Sequence, residues 1–537
     1  MPSLHWIGKE AVVNHHHTVP FHLLRDVPEL SLGEPGAGNL IVQGDNLVAL
    51  KALLPYYAGQ VKCIYIDPPY NTGNEGWVYN DNVNSPLIRE WLGKVVGKDG
   101  ETLDRHDRWL CMMYPRLAAL RQFLREDGAI FISVDDNEVQ ALRYAMDELF
   151  GEQNFVATVI WQKMDGPKNT AMHLSEDHDY IVIYAKNGDV WRPKKLPRTE
   201  DMRARYKNPD NDPRGPWLLS DLAARNFYAQ GRYPITTKKG RVIEGPPAGS
   251  YWRVNRERFD EFERDGRIWW GKSGDNRPGI KRFLSEVQEG VVPQTLWPWK
   301  DAGSTRHAKQ ELSQLMAAGA SQDLFITPKP VQLIERILQI GTEPGDLVLD
   351  SFGGSGTTGH AVLQLNKRDG GTRRFILVEM EPKICRDLTA ARVRRVVEGH
   401  ANTKGERVEG LGGGFRFCEL GEPLFDAAGQ IRGSVTFAEL ARHVYFTETG
   451  ESLPRERVSK SPLIGECRGV AVYLLFNGVL GDRSANGGNV LTRAVLGKLP
   501  RFDGPKVVYA SGCLLGQDRL QAGRITFRQT PYEIKVA

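Results

Sequence analysis

One run of twelve residues constrains the fold of this 537-residue chain more than any other: Val348-Leu349-Asp350-Ser351-Phe352-Gly353-Gly354-Ser355-Gly356-Thr357-Thr358-Gly359. An apolar stretch ends on an acid, turns through glycines and opens a helix, so the segment predicts a strand-turn-helix unit. Gly354, Gly356 and Gly359 satisfy G-x-G-x-x-G, a turn at which backbone amides approach a ligand closely. The acid ending the next strand, Glu379, can accept hydrogen bonds from ribose hydroxyls, which suits an adenosine cofactor. The same glycines also suit a tight helix-sheet junction that binds nothing. A P-loop is excluded, because no Lys-Ser or Lys-Thr follows the last glycine.

The same grammar recurs along the chain. Leu40-Ile41-Val42 reads as a strand running into Gly44-Asp45-Asn46, followed by the helical spacing Leu47, Leu50, Leu53, Leu54. Residues 61–66 form a second strand, halted by Asp67-Pro68-Pro69-Tyr70 because consecutive prolines cannot donate to a ladder. A polar stretch from Asn71 to about Asp107 reads as a long loop, and residues 109–124 as an amphipathic helix ending before Gly128. Residues 129–134 give a third strand, while 155–161 and 180–184 suit an antiparallel edge. After a break, the helix at 331–340 and the strands at 346–350 and 375–379 complete the set. The expected fold is α/β with a mostly parallel sheet.

A chain of this length exceeds one ordinary core, since single cores stop growing near roughly 250–300 residues. With 41% hydrophobic and 25% charged residues it is neither a disordered tail nor a fibrous protein. No window holds the roughly 18 uncharged apolar residues of a spanning helix, and Met1 to Trp6 lack a secretory start, so a cytoplasmic location is expected. Six cysteines without a C-x-x-C pair argue against a zinc knuckle and a disulfide framework. Net charge is only +4, yet residues 186–310 hold 26 Lys and Arg against 16 Asp and Glu, together with seven of the twelve tryptophans. The reading divides the chain into an extension (1–38), two halves of an α/β domain (39–185 and 311–400), a basic insert (186–310) and a mixed or β-rich C-terminal domain (401–537).

Asp67-Pro68-Pro69-Tyr70-Asn71 puts an acid, a carbonyl, a rigid turn and an aromatic face within a few residues. An exocyclic base amine is a poor nucleophile because its lone pair is delocalised into the ring. If the Asp67 carboxylate and the Pro68 carbonyl accept its two N–H groups, the nitrogen can pyramidalise, and Tyr70 can stack on the ring. Taken alone, the same residues are a strand-terminating turn.

In combination, these motifs resemble the amino-group DNA methyltransferases dependent on S-adenosylmethionine, whose catalytic motif is (Asp/Asn/Ser)-Pro-Pro-(Tyr/Phe/Trp) and whose cofactor turn reads Asp-x-Phe-x-Gly-x-Gly. Catalytic motif, basic insert, then cofactor motif is the order of that family's β group. Tyr65 to Gly73, Phe131 to Glu138 and Thr327-Pro328-Lys329-Pro330 are most similar to modification subunits of type III restriction systems. The resemblance implies a Rossmann-like S-adenosylmethionine-dependent methyltransferase sheet, with the insert as target-recognition domain. It also implies methyl transfer to N6 of adenine in double-stranded DNA by base flipping, with Asp67, Pro68, Pro69 and Tyr70 as the catalytic set. Asp350, Phe352, Gly354, Gly356 and Thr357 are expected around the cofactor, Glu379 on its ribose, Asp45 on its adenine, and Thr327 and Lys329 over its amino-acid end. A homodimer and a helicase-nuclease restriction partner are implied, but no membrane and no metal.

Three alternatives stand beside this reading: N4-cytosine transfer, a catalytically silent recognition subunit, and a nicotinamide-dependent oxidoreductase built on the glycine turn. In the insert, tryptophans between lysines and arginines fit stacking or wedging into nucleic acid, with cations on phosphates. Asp135 and Asp136 read as helix caps before catalysts, Met112-Met113 as core, and His15-His16-His17 as an extended run without a metal.

Overall fold

Apolar runs recurring between helices bury both faces when they pair in parallel under two helical layers. The computed structural model describes residues 4–33, 38–72, 105–316, 327–402, 405–453, 460–481 and 488–534, and it contains such a sheet. Its ten strands lie in the order His22–Asp26, Arg416–Pro423, Leu40–Gln43, Arg374–Glu379, Leu347–Asp350, Val61–Ile66, Leu124–Val134, His178–Ala185, Phe155–Gln162, Leu296–Trp297. The run from Arg416–Pro423 to Leu124–Val134 is parallel throughout. His22–Asp26 pairs antiparallel on one side, and His178–Ala185 pairs antiparallel with both its neighbours on the other.

Register sets the site. Val348 lies opposite Cys63 and Leu349 opposite Ile64, so Asp350 and Asp67 end adjacent strands. From there the chain diverges: helix Thr357–Asp369 leads to Arg374–Glu379 on one flank, and helix Arg105–Phe123 to Leu124–Val134 on the other. A crevice opens past the carboxyl ends of two such strands, where open α/β sheets bind ligands. Beneath it Ile64, Ile66, Ile130, Ile132, Leu349, Ile376 and Val378 are buried in one core. Truncating one of these to alanine should cost about 2–5 kcal/mol.

The third strand is longer than expected, since it begins at Leu124 immediately after the helix. Gly128 permits this, because a Cβ there would lie 2.9 Å from the Val61 carbonyl, beside a slip in register between Val61 and Cys63. The loop read from Asn71 to Asp107 lies, over residues 73–104, outside the described residues.

The chain forms two compact units, one of residues 1–194 with 294–537 and the other of residues 195–293. The first absorbs both terminal regions. His22–Asp26, within the expected extension, and Arg416–Pro423, within the expected C-terminal domain, are strands of the large sheet. Beyond them, Leu463–Cys467, Val470–Leu474, Lys506–Ala510 and Ile525–Gln529 form a four-stranded sheet. Helix Phe437–Thr449, opened by a Thr436/Glu439 capping box, buries Leu440, Ala441 and Val444 in the same core as Leu47, Leu50 and Leu53.

The second unit is narrower than the basic span 186–310. Trp191 and Trp297, inside that span, are buried in the first unit, where Trp297 is on the edge strand of the large sheet. Residues 195–293 hold a three-stranded sheet (Ile268–Trp269, Gly279–Phe283, Trp217–Asp221), two short ladders and helix Arg256–Arg264. Leu222, Trp252, Phe259, Trp270 and Ile280 are its core. With Trp217 also buried, five of the seven tryptophans expected to stack on or wedge into nucleic acid pack inside the protein. The unit begins and ends at one paired neck, where Leu196 and Val291 exchange backbone hydrogen bonds of 2.9 and 2.8 Å.

Candidate active site

Tyr65, Asp67 and Lys329 share one cleft with Asp350, Phe352 and the glycine turn. The two motifs therefore meet. The Asp-Pro-Pro-Tyr loop is pinned from behind: Trp109 Nε1 donates to the Pro69 carbonyl at 2.7 Å, and Asn71 Nδ2 donates to Glu138 Oε1 at 2.5 Å. Asn71 is fully buried with φ 61°, a left-handed conformation that asparagine adopts more readily than most residues.

Backbone amides hold the glycine turn to the sheet. Gly353 N–H donates to Val378 O and Gly354 N–H to Glu379 Oε2, both at 2.8 Å. Gly354 and Gly356 have φ of 48° and 75°, and a Cβ on Gly356 would lie 3.0 Å from Thr389 O. Asp350 Oδ1 accepts from Phe352 N–H at 3.0 Å and Oδ2 from Thr358 Oγ1 at 2.5 Å. Burial pushes the Asp350 and Glu379 carboxyls up to about 7, against these hydrogen bonds. Asp350 lines the cleft and therefore gains from a cation there, whereas Glu379 is not a lining residue. Glu379, expected on the ribose, directs Oε2 to Gly354 and Oε1 to Glu381 N–H at 2.9 Å, so in this structure it braces the turn.

Lys329 connects the two motifs. Its Nζ donates to both oxygens of Asp67, at 2.6 and 2.7 Å, and lies 4.8 Å from the centre of the Tyr70 ring. Burial raises the Asp67 carboxyl while the ammonium lowers it. Thr357 Oγ1 donates to the Lys329 carbonyl at 3.2 Å and accepts from Arg392 at 2.8 Å. The fully buried Arg392 thus supports the turn from beneath, and no motif pointed to it. Thr327, expected beside Lys329 over the cofactor, is exposed and does not line the cleft.

Asp45, expected against adenine, is not a lining residue either. Its Oδ1 caps helix Asn46–Tyr57 by accepting from Leu47 and Val48 N–H, and Oδ2 accepts from Arg116 at 2.9 Å. Arg116 is itself buried on an apolar helix, which was its one signal in the sequence. Asp135 accepts from Asn137 N–H and Nδ2, closing a turn before helix Val139–Phe150, and Asp136 accepts from the Tyr180 hydroxyl at 2.7 Å. Met112 and Met113 are core. His15 to Thr18 form a short helix, and among the described residues no group of three metal-binding side chains occurs.

A parallel sheet with an antiparallel strand inserted near one edge, a glycine turn on one strand and an Asp-Pro-Pro-Tyr loop on its neighbour define a Rossmann-like methyltransferase. More narrowly, the chain belongs to the family of the N6/N4 DNA methylases, whose family model, described as DNA methylase, matches residues 61–391. It is 34% identical over 382 residues to the StyLTI Mod subunit, a type III restriction-modification enzyme subunit of Salmonella typhimurium, covering 68% of this chain and 56% of that one. It is 33% identical over 432 residues to the type III EcoPI Mod subunit of Escherichia phage P1, covering 71% and 64%. The chain thus spans somewhat over half the length of these relatives. The type II methyltransferase M.KpnI of Klebsiella pneumoniae is 27% identical over 397 residues, covering 68% of this chain and 89% of that enzyme.

Proposed function

We propose that the protein is a site-specific DNA methyltransferase that transfers a methyl group from S-adenosylmethionine to N6 of adenine in duplex DNA. The single observation carrying this reading is that Asp67 shares a cleft with Asp350, Phe352 and the glycine turn. The type II relative is named a methyltransferase and the type III relatives are named Mod subunits of restriction-modification enzymes, which supports this reading. The residues fit the cofactor: the buried Asp350 carboxyl lining the cleft favours a cationic ligand, the amides at 353–356 allow close approach, and the buried Ser351 Oγ has no hydrogen-bond partner among the described residues. When bound, the cofactor supplies an electrophilic methyl on a positively charged sulfur.

Asp67 and the Pro68 carbonyl accept the two N–H bonds of a base turned out of the duplex, which localises the nitrogen lone pair for in-line attack. Lys329 opposes the rise that burial imposes on Asp67, and the carboxylate, when ionised, has lone pairs for both the ammonium and the amine. Tyr70 supplies the stacking face. Residues 195–293 hold the duplex and read its sequence, and the excess of cations there supports that role. The Mod relatives' names as enzyme subunits support a restriction partner, and the resemblance supports a homodimer and a cytoplasmic location. Among the described residues no helix is long and apolar enough to cross a membrane.

The test is to incubate the purified chain with labelled cofactor and mixed DNA, then digest the product for mass spectrometry and map modified positions by sequencing. N6-methyladenine at one recurrent sequence is the expected result. N4-methylcytosine would reassign the base, and no labelled DNA would refute transfer.

A further inference from the structure

Phe227 is 77% exposed at the tip of an irregular loop that follows the ladder of Ala223–Ala224 with Tyr251–Trp252. Residues 225–230 are all exposed, yet the base of the loop is fixed. Gly231 N–H donates to Tyr228 O at 2.9 Å and Gly231 O accepts from Trp252 N–H at 2.8 Å, and a Cβ on Gly231 would lie 2.4 Å from Trp252 O. Phe227 stands edge-on to Tyr251 at 5.3 Å, and the Arg232 guanidinium lies 4.7 Å over that tyrosine ring. Arg225, Arg232 and Arg253 are exposed and, among the described residues, form no ion pair. Other arginines of the unit, at 214, 241, 256, 258 and 267, do pair with acids.

An exposed phenylalanine on a braced loop, with exposed arginines at 225 and 232 in the same loop and 253 after the strand it packs on, complements a polyanion whose interior is stacked and apolar. We propose that residues 225–232 are a DNA-distorting finger: Phe227 inserts between neighbouring base pairs, and Arg225, Arg232 and Arg253 contact the flanking phosphates. The inference rests on the reading that the chain acts on duplex DNA, and it assigns the wedge to Phe227 in place of the buried tryptophans.

The experiment relaxes a closed-circular plasmid with topoisomerase I in the presence of the full chain, and measures binding to the same DNA over a range of salt. The wild type should lower the linking number. F227A should lose most of that shift while binding with an unchanged salt slope, and F227W should retain the shift. R225A and R232A should each reduce the slope of log K against log salt by about 0.9. A wild type that binds with a steep salt dependence but leaves the linking number unchanged would overturn the wedge. So would an F227A variant that shifts it fully, including one that loses self-association, which would make the patch a protein contact. Absence of salt-dependent binding by the wild type would refute DNA as the substrate, and the finger with it.

Discussion

The cleft at the sheet's edge and the insert of residues 195–293 use charge in opposite ways. Asp67 and Asp350 in the cleft, and Glu379 bracing the turn that lines it, are each anchored by hydrogen-bond donors, and the carboxyls are held away from their ordinary protonation range. In the insert most ion pairs are exposed, such as Arg267 with Glu286 and Arg258 with Glu261, and the surplus cations point outward. The first arrangement orients a few atoms. The second suits a long polyanion and tolerates variation. A lost group should therefore cost rate or ligand affinity in the cleft, and only shades of affinity or stability in the insert.

Asp67→Ala is the most severe way to test that contrast. Methyl transfer should fall by about a thousandfold or more, with cofactor affinity changed only a few-fold, because an interaction realised at the reacting amine is removed. Single-turnover rates beside equilibrium binding check this, and unchanged turnover would remove Asp67 from the chemistry. Next comes Asp350→Asn, which should weaken cofactor binding about 10–100-fold by calorimetry.

The pH dependence gives the sign. With folded values raised to about 7, Asp350 and Glu379 stabilise the fold most below the ordinary carboxylate range and lose that contribution as pH rises through about 7. A cationic ligand in the cleft favours the ionised form of Asp350, so its affinity should rise over the same window, by up to about tenfold per pH unit. Asp350→Asn should flatten that rise. A pH-independent affinity in the wild type would contradict the assignment.

Lys329→Met is subtler. Without the ammonium, burial and the nearby Asp179 charge raise Asp67 against the Tyr70 hydroxyl alone, and the acidic limb of the rate profile should move up. Lys329→Arg should restore part of the shift, and a profile unmoved by the methionine would show that the lysine has no bearing on Asp67. At the small end, Glu286→Gln breaks an exposed pair in the insert and should cost about 1 kcal/mol or less by denaturation. A larger loss would erase the difference between the two regions.

The cleft was legible because each β-turn-α unit announces itself locally: an apolar run, a terminal acid and a turn place Asp67 and Asp350 at the same sheet edge. Less legible was which protein groups each acid contacts. Asp45 and Glu379 both end strands, yet one caps a helix and pairs with Arg116 while the other braces Gly354, and strand position alone does not separate these uses. Arg116 and Arg392 went unread as supports because their partners are far away in sequence. Long-range pairing also hid the last parallel strand, since Arg416–Pro423 aligns with Leu40–Gln43 across most of the chain. In the insert the charge excess runs past both ends of the compact unit, so composition blurred the borders, and tryptophan counts could not distinguish core from surface.

The paired neck at Leu196 and Val291 makes residues 195–293 an exchangeable cassette. A recombination event that replaces everything between those two positions keeps one paired point of entry and exit. If residues 195–293 read the target as proposed, lineages built on this plan acquire new target sequences by exchanging that stretch alone.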